Sequence, residues 1–360
     1  MNLVWVKEKH ETKEFIKFYK TQYINSSKKQ DSLSSLLKSL LNGNSKMNKS
    51  VDLEPLMIVE KGQVIMICIL AWAHRMPEVL QISFFESSIY KPKGFKLILH
   101  RAEELAKKKG AIKISASLNI HVNYGLGFLA SDYNEKQRFG MAHNPEFYNK
   151  YFQDNGFSTI DLISYKKDMT NMDSLLNHRM RKKLNEKYNV REIDFKNFEE
   201  EIKLYTEINN KAFNDHLFYY PRDLGEDMEL FKDLKFLLKP ENLLFVEKEG
   251  KAIGFMLWYP EFYELIKPGQ NFGISTVIKN KLFSKNIKTF KIVEIGIIPQ
   301  HQEKGAILAL FEYCFQSTNG RFEKFESSWI LRDNNKSTSF GIKWGDSESK
   351  KYKAYIKELN

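Results

Sequence analysis

Apolar and polar positions alternate along this chain in two recurring ways. In Leu56–Trp72, and again in Leu243–Trp258, β-forming apolar runs flank a charged turn holding Gly62 or Gly250. That pattern predicts β-hairpins, because each strand needs an apolar face and the turn needs a residue free to adopt positive φ. Elsewhere the apolar spacing is three and four residues. Phe95, Leu97, Ile98, Ala102, Leu105 and Ala106 keep that spacing, which predicts a helix over 94–109. The same reading gives a strand at 111–118, a short helix at 145–155 and an alternating strand at 160–165. It continues with helices at 172–188, 198–213 and 305–318, strands at 291–298 and 325–331, and a Tyr-rich terminal strand.

The two hairpins head two similar stretches. Gly62 to Gly156 spans 94 residues and Gly250 to Gly345 spans 95, each running from hairpin through strand and helix to a Gly-containing turn. Matched marks at matched spacing predict a tandem duplication. The expected domains are 1–168 and 169–360, each a mixed sheet flanked by helices in the α/β class.

Length supports two domains, since 360 residues is about twice a typical single domain. A chain 42% hydrophobic and 14% aromatic can bury a core, which excludes a disordered protein. Two cysteines, Cys68 and Cys314, exclude a disulfide-stapled module and a multi-cysteine zinc site. His143, His216 and His301 show no metal-ligand spacing, so no metal is expected. The longest apolar run, Val64–Ala73, has ten residues, against about 20 for a membrane-spanning helix. Residues 1–20 are charged and lack the apolar core of a secretory signal, so a cytoplasmic protein is expected. Lys and Arg number 56 against 45 Asp and Glu, a net charge of +11 that suits anionic partners.

The segment that carries chemistry is Val293–Leu308, where a strand runs through Pro299, Gln302, Lys304 and Gly305 into a helix. Free N–H groups and the dipole of a helix start hold phosphates, and a glycine lets them approach the backbone. Pro299, Gln302 and Gly305 resemble the acyl-CoA-binding loop of the GNAT superfamily of N-acyltransferases, although Ile307 departs from its last small residue. The blocks His143-Asn-Pro-Glu-Phe-Tyr148 and Ser328-Trp-Ile-Leu-Arg-Asp-Asn334 resemble a tandem-repeat branch that includes bacterial ceramide synthase-like enzymes.

The resemblance implies two GNAT-like domains, with acyl-CoA bound by the second through Ile297, Ile298, Gln302, Lys304, Gly305, Ala306 and Asn334. The first copy has Ser87–Gly94 at the equivalent corner, with Pro92 in place of an N–H donor, and is expected to shape the acceptor site instead. Glu294 is the candidate acceptor of the amine proton, with Glu326 as a second carboxylate. The tyrosine that serves many such enzymes as acid falls at Gly341, so Tyr355 or Tyr352 is the candidate substitute. There is no Gly-x-Ser-x-Gly, so direct attack in a ternary complex is expected.

The leading reading is acyl-CoA-dependent N-acylation of a primary amine, with a long-chain, sphingoid-type amine as acceptor. The alternatives are a transferase fed by acyl carrier protein or aminoacyl-tRNA, and a non-catalytic acyl-CoA-binding module. Residues 276–291 hold Lys279, Lys281, Lys285, Lys288 and Lys291 among apolar side chains with no acid, a stretch suited to an anionic membrane surface. Nucleic acid is not expected as a partner, because no sheet face sets aromatics among basic residues.

Overall fold

The structure, a computed structural model, describes all residues except Asn25, Asn171, Asp173, Glu303, residues 335–340, Ile342, Lys343 and Asn360. Its first half runs β1 (Asn2–Trp5), α1 (Lys9–Ile24), α2 (Ser34–Leu41), β2 (Val51–Glu60) and β3 (Gln63–Ala73). It continues with β4 (Val79–Ser87), α3 (Pro92–Lys109), β5 (Lys113–Ala116), β6 (Phe128–Leu129), α4 (Phe147–Gln153) and β7 (Ser158–Asp168). The second half runs α5 (His178–Lys187), β8 (Asn189–Glu192), α6 (Phe198–Ala212), α7 (Leu224–Leu234), β9 (Leu243–Lys248) and β10 (Lys251–Pro260). Then come α8 (Ile274–Phe283), β11 (Thr289–Ile297), α9 (Ala306–Thr318), β12 (Lys324–Ser327), β13 (Ile330–Leu331) and β14 (Ser347–Glu358).

Both expected hairpins form. Glu60 pairs with Gln63 across Lys61 (φ 51°) and Gly62 (φ 78°), and Lys248 pairs with Lys251 across Glu249 (φ 52°) and Gly250 (φ 73°). Two central residues at positive φ match the right-handed twist of the flanking strands. The element order repeats as far as β6 and β13, with two helices after β1 and after β8 and α3 matched by α9, while the position equivalent to α4 includes residues outside the described ones. One addition breaks it. Residues 74–78 link β3 to β4, whereas the β10–β11 link carries residues 261–288 and contains α8.

All strands belong to one sheet, ordered β1-β2-β3-β4-β5-β14-β7-β12-β11-β10-β9-β8. The halves exchange their last strands: β14 lies beside β5, β7 lies beside β12, and the two pair antiparallel at the centre. β6 joins β14 and β13 joins β7, so the exchange is symmetric. The fold is α/β with two tandem domains on this shared sheet, each a mixed sheet because β4–β5 and β11–β12 are its parallel pairs.

Three expected elements differ. The expected helix at 172–188 begins only at His178, where the Asn177 side chain accepts from Met180 N at 2.9 Å and caps it; Asp173 lies outside the described residues. The strand at 325–331 splits: β12 pairs with both β11 and β7, and after a one-residue register shift β13 pairs with β7 alone. The basic stretch at 276–291 is divided between α8 and β11, and Lys291 is 1% exposed. As a residue of a strand covered on both faces it is no surface lysine. Cys68 and Cys314 are both buried. Among the described residues no helix is long and apolar enough to cross a membrane.

Candidate active site

The two parallel pairs open partway along. β11 follows β12 as far as Ile292 opposite Ser327, and Ser328 N still donates to Ile292 O at 2.9 Å. Beyond that β11 is paired only with β10, as far as Ile297 opposite Gly254. Ile298 N donates to Ile253 O at 3.0 Å. Amides alternate sides along an antiparallel strand, so the N–H groups of Ile295 and Ile297 face the opening. A register shift opposite Leu257/Trp258 puts one extra residue, Val293, into β11 directly before Glu294. Such a bulge re-aims the side chain that follows it.

Glu294 is aimed at α6. Tyr205 Oη donates to its Oε2 at 2.6 Å and Asn209 Nδ2 to its Oε1 at 2.8 Å. Tyr205 and Asn209 are one turn apart, on the face of α6 that crosses β11. The helix comes close because position 296 is glycine: a Cβ there would lie 2.6 Å from the Phe255 ring and 3.0 Å from Ala212 Cβ. Burial pushes the Glu294 carboxyl above the usual carboxylate range, against the pull of the Arg222 guanidinium and the two donors. Asn209 is fully buried, and its Oδ1 has no hydrogen-bond partner among the described residues.

Behind this carboxylate lies a buried polar group that fixes the α6–α7 loop. Arg222 and Asp227 pair at 2.7 Å, and Thr206 Oγ1 donates to Asp227 at 2.7 Å. Asn210 receives Arg222 N at 3.0 Å and donates to Arg222 O at 2.9 Å. The first half grips the same loop: Arg75 donates to Pro221 O at 2.6 Å, and the His121 ring bonds Tyr220 O at 3.1 Å. The loop beside Glu294 is thus set by both halves.

At the far end of β11, residues 299–301 form one 3-10 turn and Gly305 precedes α9 with φ 95°. Left-handed φ favours glycine, and a Cβ at 305 would stand 3.3 Å from Leu184 of α5. Gln302 Nε2 donates to Ile297 O at 3.1 Å, so it ties the loop to the strand. Lys304 Nζ donates to Gln300 O at 2.7 Å, and Lys304 O accepts from Lys187 Nζ at 3.0 Å and from the Tyr188 hydroxyl. Ala306 is buried at the first helical position and Ile298 flanks the 3-10 turn.

The matching opening in the first half is filled by its own side chains. β4 leaves β5 after Ile82 opposite Ala116. Phe84 N then donates to Asn119 Oδ1 at 2.8 Å and Ser87 N to Tyr148 Oη at 2.6 Å. Tyr148 and Tyr23 both donate to Glu86 at 2.8 Å, and Lys29 pairs with Glu86 at 3.3 Å. Near this network lies a cleft of about 620 Å³ lined by Phe18, Lys29, Val64, Tyr133, His143 and Tyr148. It touches none of Glu294, Glu326 or Gly305, so its size does not mark the chemistry.

Of the residues expected from sequence, the structure brings Glu294, Ile297, Ile298, Gln302, Lys304, Gly305 and Ala306 along one strand and its following loop. It does not bring Tyr355 there. Tyr355 is buried three strands away on β14, stacked on Phe152 at 5.1 Å, its hydroxyl donating to Asn149 at 2.8 Å; Tyr352 is buried on the same strand. Glu326 sits opposite Lys291 in the closed part of the pair, held by Arg138 at 2.9 and 3.0 Å. Asn334 follows β13, with its N–H on Leu331 O at 3.0 Å. Gly341 lies under the Tyr165 ring, 2.4 Å from where its Cβ would be. Sequence reasoning missed Tyr205, Asn209, Arg222 and Asp227. A Tyr and an Asn four residues apart on a helix otherwise buried through Ile202 and Ile208 was the available signal.

No family model matches the chain. The fold is that of a tandem GNAT protein. The tandem GNAT protein from the clavulanic acid biosynthesis pathway superposes with a TM-score of 0.56 at 10% identity, covering 100% of this chain and 98% of that one. A conserved protein of Enterococcus faecalis, described as a probable N-acyltransferase, gives 0.55 at 12% identity, covering 99% and 72%. In sequence the chain resembles bacterial ceramide synthase of Caulobacter vibrioides, 24% identical over 279 residues, 74% of this chain and 72% of that protein. Protein YghO of Escherichia coli is 22% identical over 287 residues, 76% and 72% of the two chains.

Proposed function

We propose that the second half transfers an acyl group from acyl-CoA to a primary amine, with a long-chain amine of the sphingoid type as acceptor. One observation carries the reading: a carboxylate of raised basicity, Glu294, stands at the mouth of an open strand edge that leads to a glycine-started helix. The resemblance to bacterial ceramide synthase supports the choice of acceptor.

The residues present fit acyl-CoA as a substrate. Gly305 offers a backbone without a Cβ, and the first N–H groups of α9 suit the pyrophosphate. The Ile295 and Ile297 amides facing the opening suit the pantetheine arm and the acyl carbonyl. The amine nitrogen attacks the thioester carbon, a C–N bond forms and the C–S bond breaks. The ammonium proton passes to Glu294 before the attack, and the nitrogen's second proton passes to the departing thiolate, which leaves as CoA thiol. A base whose affinity for protons lies above that of an ordinary carboxylate holds that proton better near neutral pH. The first half, with its own opening filled, serves to hold the α6–α7 loop beside the acceptor.

The experiment is incubation with a panel of acyl-CoAs and amines, read by mass spectrometry. An amide product formed together with free CoA thiol supports the reading; thiol release without amide, or no reaction with any pair, rejects it.

A second donor is favoured by α5. Arg179, Lys182 and Lys183 are exposed on this helix, whose Leu184 packs beside Gly305. That cationic face suits the acidic surface of an acyl carrier protein. Reversing Lys182 and Lys183 to Glu would then slow transfer from acyl carrier protein far more than from acyl-CoA. Equal slowing of both assigns the donor site to CoA alone.

A further inference from the structure

The helix α8 has its polarity reversed. A surface helix buries apolar residues and exposes polar ones. Here the buried positions are Thr276, 0% exposed, and Asn280, 9% exposed, with Asn280 Nδ2 donating to Leu237 O at 3.1 Å. The outward positions are Ile274 at 81%, Ile278 at 53%, Leu282 at 69% and Phe283 at 51% exposure. Ile274, Ile278 and Leu282 follow one another at four-residue steps, a continuous stripe over the length of the helix. Phe236, 58% exposed, adjoins the Leu237 that holds Asn280. Single exposed apolar side chains need no explanation, but a contiguous row on one face does.

Charge decides what covers the row. Residues 274–288 contain no acid. Lys281 and Lys285 are exposed beside the stripe and Lys279 is half-buried, and none of the three is in an ion pair among the described residues; Lys288 pairs with Glu323 at 2.6 Å. An aliphatic row edged by unpaired lysines complements a surface with an apolar interior and anionic headgroups. A second copy of the chain is a poorer match, because a two-fold contact sets like charges against each other without an acid to answer them. α8 belongs to the long form of a link that is only residues 74–78 in the first half, at the end of β11 opposite Gly305.

We propose that α8 is a docking helix for anionic membranes, with Ile274, Ile278, Leu282 and Phe283 entering the acyl boundary and Lys279, Lys281 and Lys285 meeting lipid phosphates. The inference stands apart from the transferase reading, and its test contains no acyl donor or amine. The full chain is sedimented with vesicles of phosphatidylglycerol and phosphatidylcholine, or of phosphatidylcholine alone, at rising salt. The parent binds the anionic vesicles at low salt and releases as salt rises; neutral vesicles bind poorly throughout. Lys281→Glu with Lys285→Glu weakens partition onto anionic vesicles by at least roughly 30-fold. Ile278→Ser, Leu282→Ser and Phe283→Ser together abolish binding at any salt, and because these sites are exposed the variant keeps the parent's thermal unfolding. No binding by the parent at low salt overturns the proposal, as does a serine variant that binds like the parent. Concentration-dependent dimerisation abolished by the same serines, without vesicle binding, overturns it in favour of a second copy.

Discussion

The Tyr205 hydroxyl reaches the Glu294 carboxylate at 2.6 Å from a helix that crosses the strand bearing it. The bond orients the carboxylate and opposes the effect of burial on its proton affinity. Tyr205 itself is buried, so its own proton is held far more tightly than in water and it remains a donor across the working range.

Replacing Glu294 with Gln is therefore expected to lower turnover by roughly 10²–10⁴-fold, the span of a lost general base. Affinity for the thioester stays near that of the parent. The deficit narrows at alkaline pH, where the amine arrives neutral. Steady-state kinetics over pH check this; a variant as active as the parent at neutral pH removes Glu294 from the mechanism.

Tyr205→Phe tests the same carboxylate through its partner. A base works when deprotonated, so activity rises with pH through the Glu294 pKa. Burial already places that rise above the ordinary carboxylate range. Loss of the Tyr205 donor removes a stabiliser of the charged form, so the acid limb of the rate profile moves to higher pH while the alkaline plateau is largely kept. A uniform loss at every pH would mean that Tyr205 only supports the fold.

CoA is expected to bind once per chain. The amides of Phe84 and Ser87 are occupied by Asn119 and Tyr148 in the first half. Gly305→Asp is expected to abolish binding, by repelling phosphate and by forcing a side chain into left-handed backbone beside Leu184. Gly305→Ala separates the causes, costing about 1–2 kcal/mol of stability while keeping measurable affinity. Calorimetric titration reads both; two equal sites in the parent would refute the asymmetry.

Lys291 predicts a stability effect. It is buried with Glu261 and Glu326 nearby, its ammonium donates to Phe139 O, and burial pushes its pKa down to about 8. The unfolded chain keeps this proton to higher pH than the folded one, so above about pH 8 folding gains as pH rises towards the usual lysine range. Chemical denaturation at a series of pH values is expected to show that slope in the parent and a flatter one in Lys291→Met.

The hairpins were legible because a turn is written locally: Lys61-Gly62 and Glu249-Gly250 carry their own geometry. Strand and loop around Glu294 and Gly305 were legible for the same reason. Their surroundings were not, since Tyr205 and Asn209 lie 89 and 85 residues from Glu294. Lys291 counts with four other lysines in sequence, yet the pleat of β11 turns it inward. The strand exchange was hidden too: β7 and β14 share one alternating pattern, and alternation names a face, never a neighbour.

That exchange imposes a timetable on synthesis. The edge of β5 that faces β14 has no partner until β14 leaves the ribosome. Translation at roughly 5–20 residues per second leaves it open for on the order of tens of seconds. An unpaired edge is a template for pairing with other chains. The nascent first half, with β5 made and β14 still to come, is therefore the stage most exposed to wrong pairing, and the emergence of β14, rather than completion of the first half, is the event that closes the sheet.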